Sequence, residues 1–154
     1  MEKLFENIPL FAAAIAFACA QLLKPIINAM LGNGWKWRFL ITTGGMPSSH
    51  SAAAAALTVS VGMSEGINST AFAICVFIAL VIMNDAMNVR YETGKQAELL
   101  NRWSEILTQL HQDGTFSPTA LKTMIGHSAI QVIAGAVLGL AAGAAFTYLR
   151  LFNG

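Results

Sequence analysis

The sequence predicts an all-α integral membrane protein, a helical bundle with about four transmembrane helices and one amphipathic helix at the membrane surface. Hydrophobic residues make up 55% of the 154 residues and charged residues only 11%, whereas an average soluble domain has about 25% charged residues. Several apolar runs approach the roughly 20 residues that a helix needs to cross a bilayer. No repeat or low-complexity linker divides the chain, so residues 1–154 are expected to form one domain.

The first two apolar runs differ in length and composition. Residues 8 to about 31 form a long run that contains Lys24 and Pro25, which are expected to end or kink the part inside the membrane. Residues from about 50 to 63 form a short, alanine-rich run. Small residues let neighbouring backbones approach closely, so this run predicts a helix packed inside the bundle.

The third and fourth runs are the longest stretches without a charge in their centre. Residues 70 to about 87 are the most apolar part of the chain, and residues from about 129 to 152 form the last run. The last run places Gly135, Gly139 and Gly143 four residues apart, on one helix face. Such a face is suited to close helix packing, and we expect it to pair two copies of the chain in a homodimer.

An amphipathic helix is predicted between the third and fourth runs. Residues 95–111 are polar overall but carry apolar side chains at helical spacing, namely Leu99, Trp103, Ile106, Leu107 and Leu110. We expect this helix to lie on the membrane surface with Trp103 as an anchor, and His111 to be solvated. A turn at Asp113 and Gly114 follows, and Ser117 with Pro118 is typical of the start of a new helical segment.

Charge and cysteine content argue against several other classes of protein. A formal net charge of +1 gives no global reason to bind nucleic acid. Cys19 and Cys75 lie inside apolar runs without metal-ligand spacing, so we interpret them as buried thiols. The first seven residues carry one lysine and two glutamates, unlike a secretory signal, so the first run is expected to stay in the mature protein.

The distribution of cations predicts the orientation. With four crossings, one side of the membrane collects seven of the nine lysines and arginines, namely Lys24, Lys36, Arg38, Arg90, Lys95, Arg102 and Lys122. The other side holds Lys3 and Arg150. Cytoplasmic loops carry an excess of such residues. The first side is therefore expected to face the cytoplasm, with the protein in the bacterial inner membrane.

The same topology brings reactive side chains to one membrane face. His50 opens the second helix, Asp85 and Arg90 close the third, and His127 precedes the fourth. Two histidines, several cations and a carboxylate at headgroup level predict an anion site, and the abundant anion at that depth is phosphate on a lipid.

These residue types suit phosphoryl chemistry. Lys36, Arg38 and Arg90 can donate charge-assisted hydrogen bonds to phosphate oxygens. The glycine-rich turn around Gly45, which leads into the second helix, can supply free backbone N–H groups. One neutral imidazole can attack phosphorus while a second protonates the leaving alkoxide, because histidine titrates near 6.5.

Two segments, "GGMPSSHSA" and "GHSAIQVIAG", resemble the type 2 phosphatidic acid phosphatase superfamily, which also contains acid phosphatases and vanadium-dependent haloperoxidases. Together with "WRFLITTGG" and "NDAMNVRYETGKQAELLN", they are similar to its small divergent bacterial and plant branch over residues 37–139. The resemblance implies that His127 is a nucleophile forming a phosphohistidine and that His50 is the general acid. It also implies that Ser48, Ser49 and nearby backbone amides hold phosphate oxygens, without a metal or another cofactor.

The chain departs from the superfamily pattern K-x6-R-P, P-S-G-H and S-R-x5-H-x3-D in its first and third motifs. Arg38 is followed by phenylalanine, and Lys36 stands two residues before it instead of seven. Leucine and Lys122 stand where the third motif has Ser-Arg, so Lys122 or Arg90 would replace that arginine.

The third motif also lacks its acid. Gln131 stands where the superfamily has the aspartate that fixes and polarises the nucleophilic imidazole. A glutamine can orient the ring through a hydrogen bond, but it cannot stabilise an imidazolium as a carboxylate does. We therefore expect either slow phosphatase activity or a substitute carboxylate, for which Asp85 is the candidate because it ends an otherwise apolar run.

The predicted function is hydrolysis of a phosphomonoester or diphosphate on a lipid, with phosphatidate, phosphatidylglycerophosphate and polyprenyl phosphates as candidate substrates. Gln131 favours a competing interpretation, a non-catalytic membrane protein that binds an anionic headgroup at a degenerate site. A second competitor is a metal site built from His50, Asp85 and His127. Asp85 and Arg90 could also form only an ion pair at a helix end.

Overall fold

A computed structural model describes residues 6–42, 44–110, 119–123 and 126–152, with the side chains of residues 33 and 38 excepted. Its regular structure is entirely helical in these ranges, which confirms the all-α prediction. The α-helices are α1 (Ile8–Asn28), α2 (Ser49–Glu65), α3 (Thr70–Met87), α4 (Val89–Leu110) and α5 (Ala129–Phe152). The predicted turn at Asp113 and Gly114, the helix start at Ser117 and Pro118, and His111 lie outside the described residues.

Helix α1 runs through the residues that were expected to interrupt it. Asn7 caps its start, accepting a hydrogen bond from the Leu10 amide at 3.1 Å. Lys24 and Pro25 are both buried, and the helix continues to Asn28 before a π-helical turn, Ala29–Asn33. Lys24 and Pro25 therefore do not end the helix, but lie buried within its last turns.

Helix α2 lies inside the bundle and packs against α1, α3 and α5. Its 17 residues are about 25 Å long at 1.5 Å per residue, less than the roughly 30 Å of a bilayer core. The helices with the length and hydropathy to cross a membrane are Ile8–Gly32, Thr70–Leu110, whose apolar part is α3, and Ala129–Phe152. Three described helices therefore qualify, against about four predicted; the alanine-rich α2 falls short in length and runs beside them inside the bundle.

Close backbone packing joins α2 to α5. A Cβ atom at Gly135 or Gly139 would overlap the carbonyl oxygen of Ser48 or Ala52, and one at Gly143 would lie 2.7 Å from the Cα of Ala56. The three glycines are therefore needed for this approach. Because the glycine face packs within one chain, the reason for expecting a homodimer through it no longer holds.

Helix α4 follows α3 after a single residue, Asn88. It begins earlier than the predicted amphipathic segment, and its large apolar side chains, including Trp103, are exposed. Residues 119–123 lie along α4: Asn101 exchanges two hydrogen bonds of 2.9 Å with the backbone of Leu121. A Cβ atom at Gly94 would lie 2.7 Å from the Thr123 carbonyl oxygen.

Helix directions place three helix ends together. The Gly135–Ser48 and Gly143–Ala56 approaches show that α5 and α2 run parallel. The C-terminal end of α3 meets the segment that leads into α5, where the His127 amide donates a hydrogen bond to the Ala86 carbonyl at 3.1 Å. The start of α2, the end of α3 and the start of α5 therefore share one end of the bundle, as the topology predicted.

Candidate active site

The turn before α2 is held by its neighbours. Gly45 has a φ of 94°, a left-handed conformation that favours glycine. Ser48 caps α2: its Oγ accepts hydrogen bonds from the amide and the hydroxyl of Ser51, at 3.4 and 2.9 Å. The Ser48 amide in turn donates to the carbonyl oxygen of Gln131 at 3.0 Å. The start of α2 is thus fixed to the first turn of α5.

A buried cation lies beneath this turn. Lys24 is 1% exposed, and its Nζ donates to the carbonyl oxygen of Thr42 at 3.0 Å and to the Oγ of Ser49 at 3.5 Å. The sequence pattern does not by itself place Lys24 at the site, because the contact joins residues 18 and 25 positions apart. The signal that could have revealed it is a lone cation within an apolar helix, which commonly marks a functional site.

A cavity of about 120 Å³ opens where the helix ends meet. Five of the predicted site residues line it together with Ile82 and Ala86, namely Ser48, His50, Asp85, Arg90 and His127. The cavity is smaller than the roughly 300 Å³ at which pockets for whole small molecules begin. Its size suits a small polar group such as a phosphate.

His127 is the most buried of the ionisable residues that line the cavity. The residue is only 3% exposed, and neither ring nitrogen has a hydrogen-bond partner among the described residues. Burial lowers the pKa of His127 from 6.5 to about 4, and the positive charge of Lys24, His50 and Arg90 adds to this effect. The ring is therefore neutral at physiological pH, with a lone pair available.

His50 lies at the more exposed side of the cavity. Its ring contacts the Phe17 ring edge to face, with 5.7 Å between the centroids. Partial burial lowers the pKa of His50 below 6.5, and the charges of Arg90 and Lys24 lower it further. Because its neighbourhood is less enclosed than that of His127, His50 is the better placed of the two to exchange protons with water.

Asp85 and Arg90 pair with each other at the mouth of the cavity. Arg90 Nε donates to Asp85 Oδ2 at 2.5 Å, and the two side chains are 54% and 37% exposed. The structure does not join Asp85 to His127, whose ring nitrogens have no partner in the described part of the chain. In this structure Asp85 pairs with Arg90 and makes no hydrogen bond to the His127 ring.

Gln131 does not orient the ring of His127 either. Its side-chain oxygen accepts a hydrogen bond from the Ser128 amide at 3.1 Å, while its backbone oxygen accepts from Ser48. Gln131 stabilises the turn into α5 and positions His127 through the backbone. Its side chain makes no hydrogen bond to the imidazole, because neither ring nitrogen of His127 has a partner among the described residues.

The other predicted anion-binding residues do not line the cavity. Lys36 and Lys122 are exposed, and neither lines the cavity. Ser49 is buried behind the turn with its hydroxyl bonded to Lys24. Gly45 shapes the turn, and the side chain of Arg38 lies outside the described part of the structure.

Comparison with known proteins places this chain in a family. The model of the Divergent PAP2 family matches residues 5–142. The chain belongs to this family. It is also similar to the uncharacterized membrane protein YuiD of Bacillus subtilis (strain 168), with 33% identity over 146 residues, covering 90% of this chain and 92% of the relative. No solved structure matches it.

Membership of the Divergent PAP2 family confirms the resemblance found in the sequence and agrees with an integral membrane protein. It also makes a phosphatase-related role the first to consider. Within the described ranges, no group of three or more His, Cys, Asp or Glu residues is arranged so that it could hold a metal ion.

Proposed function

We propose that this Divergent PAP2 family protein is a membrane phosphohydrolase that cleaves a phosphomonoester or diphosphate of a lipid, with His127 as nucleophile and His50 as general acid. The observation that carries the proposal is the single cavity lined by both histidines and by Arg90 at one end of the bundle. A neutral, desolvated imidazole beside a cation is suited to attack a phosphate that the cation holds.

The first step forms a bond between a ring nitrogen of His127 and phosphorus, and breaks the bond between phosphorus and the lipid oxygen. Protonated His50 gives its proton to that oxygen, so the lipid leaves as an alcohol, or as a monophosphate when the substrate is a diphosphate. A positioned general acid contributes about 10²–10⁴-fold to such a step. Neutral His127 needs no base to activate it.

The second step returns the enzyme to its starting state. A water oxygen attacks phosphorus, the bond between phosphorus and His127 breaks, and neutral His50 takes a proton from the water. Inorganic phosphate leaves, His127 is again neutral and His50 is again protonated. The net reaction consumes one water and needs no metal or redox partner.

Phosphate oxygens would be held by groups from two helix ends. Arg90 supplies a guanidinium at the cavity mouth. The amides of Ser49 and His50 belong to the first turn of α2, where a helix leaves N–H groups without an intrahelical partner and favours an anion. Lys36 and Lys122, which lie outside the cavity, would attract anionic lipid headgroups to this end of the bundle.

We assign the bundle end that holds the cavity to the cytoplasmic side of a bacterial inner membrane. The end at which α1 and α3 finish and α5 begins carries seven of the nine lysines and arginines by their positions in the sequence. This excess supports the orientation, since cytoplasmic segments near membrane helices are rich in these residues.

The test is phosphate release by the purified full-length protein from phosphatidate, phosphatidylglycerophosphate and a polyprenyl diphosphate in mixed micelles. His127→Ala should lower the rate by at least about 10³-fold, because removal of a nucleophile abolishes most of the catalysis. His50→Ala should lower it by about 10²–10⁴-fold. Any phosphorylated enzyme that rapid quenching of the native protein traps should carry its phosphate on residue 127, as located by mass spectrometry.

His111→Ala is the matched control, since His111 is the third histidine of the chain and was expected to be solvated. Its rate should equal that of the native protein, and chelation with EDTA should leave the native rate unchanged. Equal rates for the native protein and His127→Ala would refute the proposal, as would phosphorylation at a residue other than 127.

The second candidate is a headgroup-binding protein without catalysis. The observation that favours it is the His127 ring, which has no acceptor for an N–H group among the described residues. This candidate predicts that the native protein and His127→Ala release no phosphate from any of the three lipids. Both would still bind vesicles containing phosphatidate more tightly than vesicles of neutral lipid, and Arg90→Gln would weaken that binding.

A further inference from the structure

A second concave surface lies beside the phosphate-sized cavity. It is an apolar groove of about 600 Å³ between α3 and α5, lined chiefly by Leu80, Met83, Met87, Ile133, Ala136 and Leu140. Its α3 residues are spaced three and four apart, so they form one helix face. Unlike the 120 Å³ cavity, the groove lies within the size range of pockets that hold a substantial part of a ligand.

The groove and the cavity share one boundary. Asp85 and Ala86 line the cavity, whereas the neighbouring residues Asn84 and Met87 line the groove. The hydrogen bond from the His127 amide to the Ala86 carbonyl joins α3 to α5 at this boundary. The cavity and the groove are therefore neighbours at the end of α3.

The groove has the dimensions and the chemistry for hydrocarbon. From Met87 to Leu80 it follows seven residues of α3, which is about 10 Å at 1.5 Å per residue. This carries it toward the centre of a hydrocarbon core roughly 30 Å thick. The lining includes no charged residue, and the polar side chain of Asn84 already accepts a hydrogen bond from Asn88 at 2.7 Å. Its methionines are adaptable apolar side chains.

We propose that this groove binds the hydrocarbon chain of the lipid whose phosphate occupies the cavity, and that the lipid enters sideways from the bilayer between α3 and α5. The inference rests on the proposed function for the identity of the headgroup. Both helices have the length and hydropathy of membrane-crossing segments, so the open side of the groove faces lipid rather than water. A hydrocarbon chain is therefore the occupant that the groove can take up from its surroundings.

The first experiment fills the groove and compares substrates. Ala136→Phe places a ring in the groove, and Ala145→Phe adds the same ring at an exposed α5 residue that does not line it. The measured quantity is the ratio of kcat/KM for long-chain phosphatidate to kcat/KM for para-nitrophenyl phosphate. Ala136→Phe should lower this ratio about tenfold, equivalent to about 1.4 kcal/mol, while Ala145→Phe should leave it unchanged. An unchanged ratio in Ala136→Phe overturns the inference.

The second experiment does not depend on catalysis. Phosphatidate carrying a photoactivatable diazirine in its chain is crosslinked to the native protein in vesicles, and the adducts are mapped by mass spectrometry. Adducts should concentrate at Met83, Met87 and Ala136, and unlabelled phosphatidate should reduce them more than diacylglycerol with the same chains. This pattern without phosphate release would support the groove and refute hydrolysis. Adducts spread evenly over the bilayer-facing residues of α3 and α5, or crosslinks joining two copies of the chain at the groove, would overturn the groove itself.

Discussion

Replacement of Lys24 by methionine should raise the pKa of His127. The Lys24 cation is one of the causes that lower this pKa from 6.5 to about 4, after the larger effect of burial. A cation disfavours protonation of a nearby imidazole, so its removal favours the protonated ring. Burial remains in Lys24→Met, because methionine fills much of the same volume, so the pKa should rise above about 4 and stay below 6.5.

The protonated fraction of His127 at pH 5 shows how large the effect of this pKa is. With a pKa of about 4, roughly one His127 ring in ten is protonated at this pH, whereas a ring with the ordinary value of 6.5 would be almost fully protonated. Only the neutral ring can attack phosphorus. The acid limb of the pH profile of kcat/KM should therefore lie near pH 4 in the native protein and move to higher pH in Lys24→Met.

Two measurements check this shift. The first is the pH profile of kcat/KM, and the second is an NMR titration of ¹³C-labelled histidine in detergent, with the His127 signal assigned from its loss in His127→Gln. Lys24→Arg is the control, since it keeps the charge, and its acid limb should stay near that of the native protein. An unmoved acid limb in a folded Lys24→Met protein would refute the electrostatic reasoning.

Three further predictions concern the acid, the ion pair and the helix packing. The alkaline limb of kcat/KM should lie below pH 6.5, because His50 must be protonated and its pKa is lowered; a limb above pH 7 would contradict its role as the acid. Asp85→Asn should lower kcat/KM by less than about tenfold, since Asp85 pairs with a half-exposed Arg90, whereas loss of a true triad aspartate costs about 10⁴-fold. Gly143→Ala should destabilise the fold by about 1–2 kcal/mol in a thermal melt, because a Cβ atom 2.7 Å from Ala56 Cα overpacks the interface by more than the helix propensity of alanine returns. Gly62→Ala is its control, since there a Cβ atom meets side chains alone, the Phe72 ring at 3.0 Å and the Ile67 Cγ2 at 3.7 Å, and this variant should unfold at a higher temperature than Gly143→Ala.

Long apolar runs made part of the fold predictable from the sequence. Helices α3 and α5 have the predicted bounds, because uninterrupted hydrophobic segments of that length have few alternatives to a membrane helix. The assembly of His50, Arg90 and His127 at one end also followed from the order of the helices. Helix order alone decides which helix ends share a membrane face, so no side-chain contact had to be known.

Tertiary contacts explain what the sequence could not reveal. Lys24 and Pro25 end a helix in isolation more readily than within a bundle, where Lys24 finds the Thr42 carbonyl. The glycines of α5 fit a dimer as well as an internal interface, and only the position of α2 decides between them. Likewise, hydrogen bonding of Gln131 to the Ser128 amide depends on the geometry of a turn, which sequence spacing does not specify.

The charges around the cavity affect the two steps of the proposed reaction differently. Burial and the surrounding cations keep His127 neutral, which favours attack. The same cations oppose the positive charge that its ring acquires when a phosphoryl group binds, and no described acceptor takes up an N–H of the ring. A triad carboxylate would stabilise that charge; here the phosphoryl oxygens themselves must balance it. Formation of the phosphohistidine should therefore be the slow step, and its hydrolysis the fast one, so that little phosphorylated enzyme accumulates during turnover.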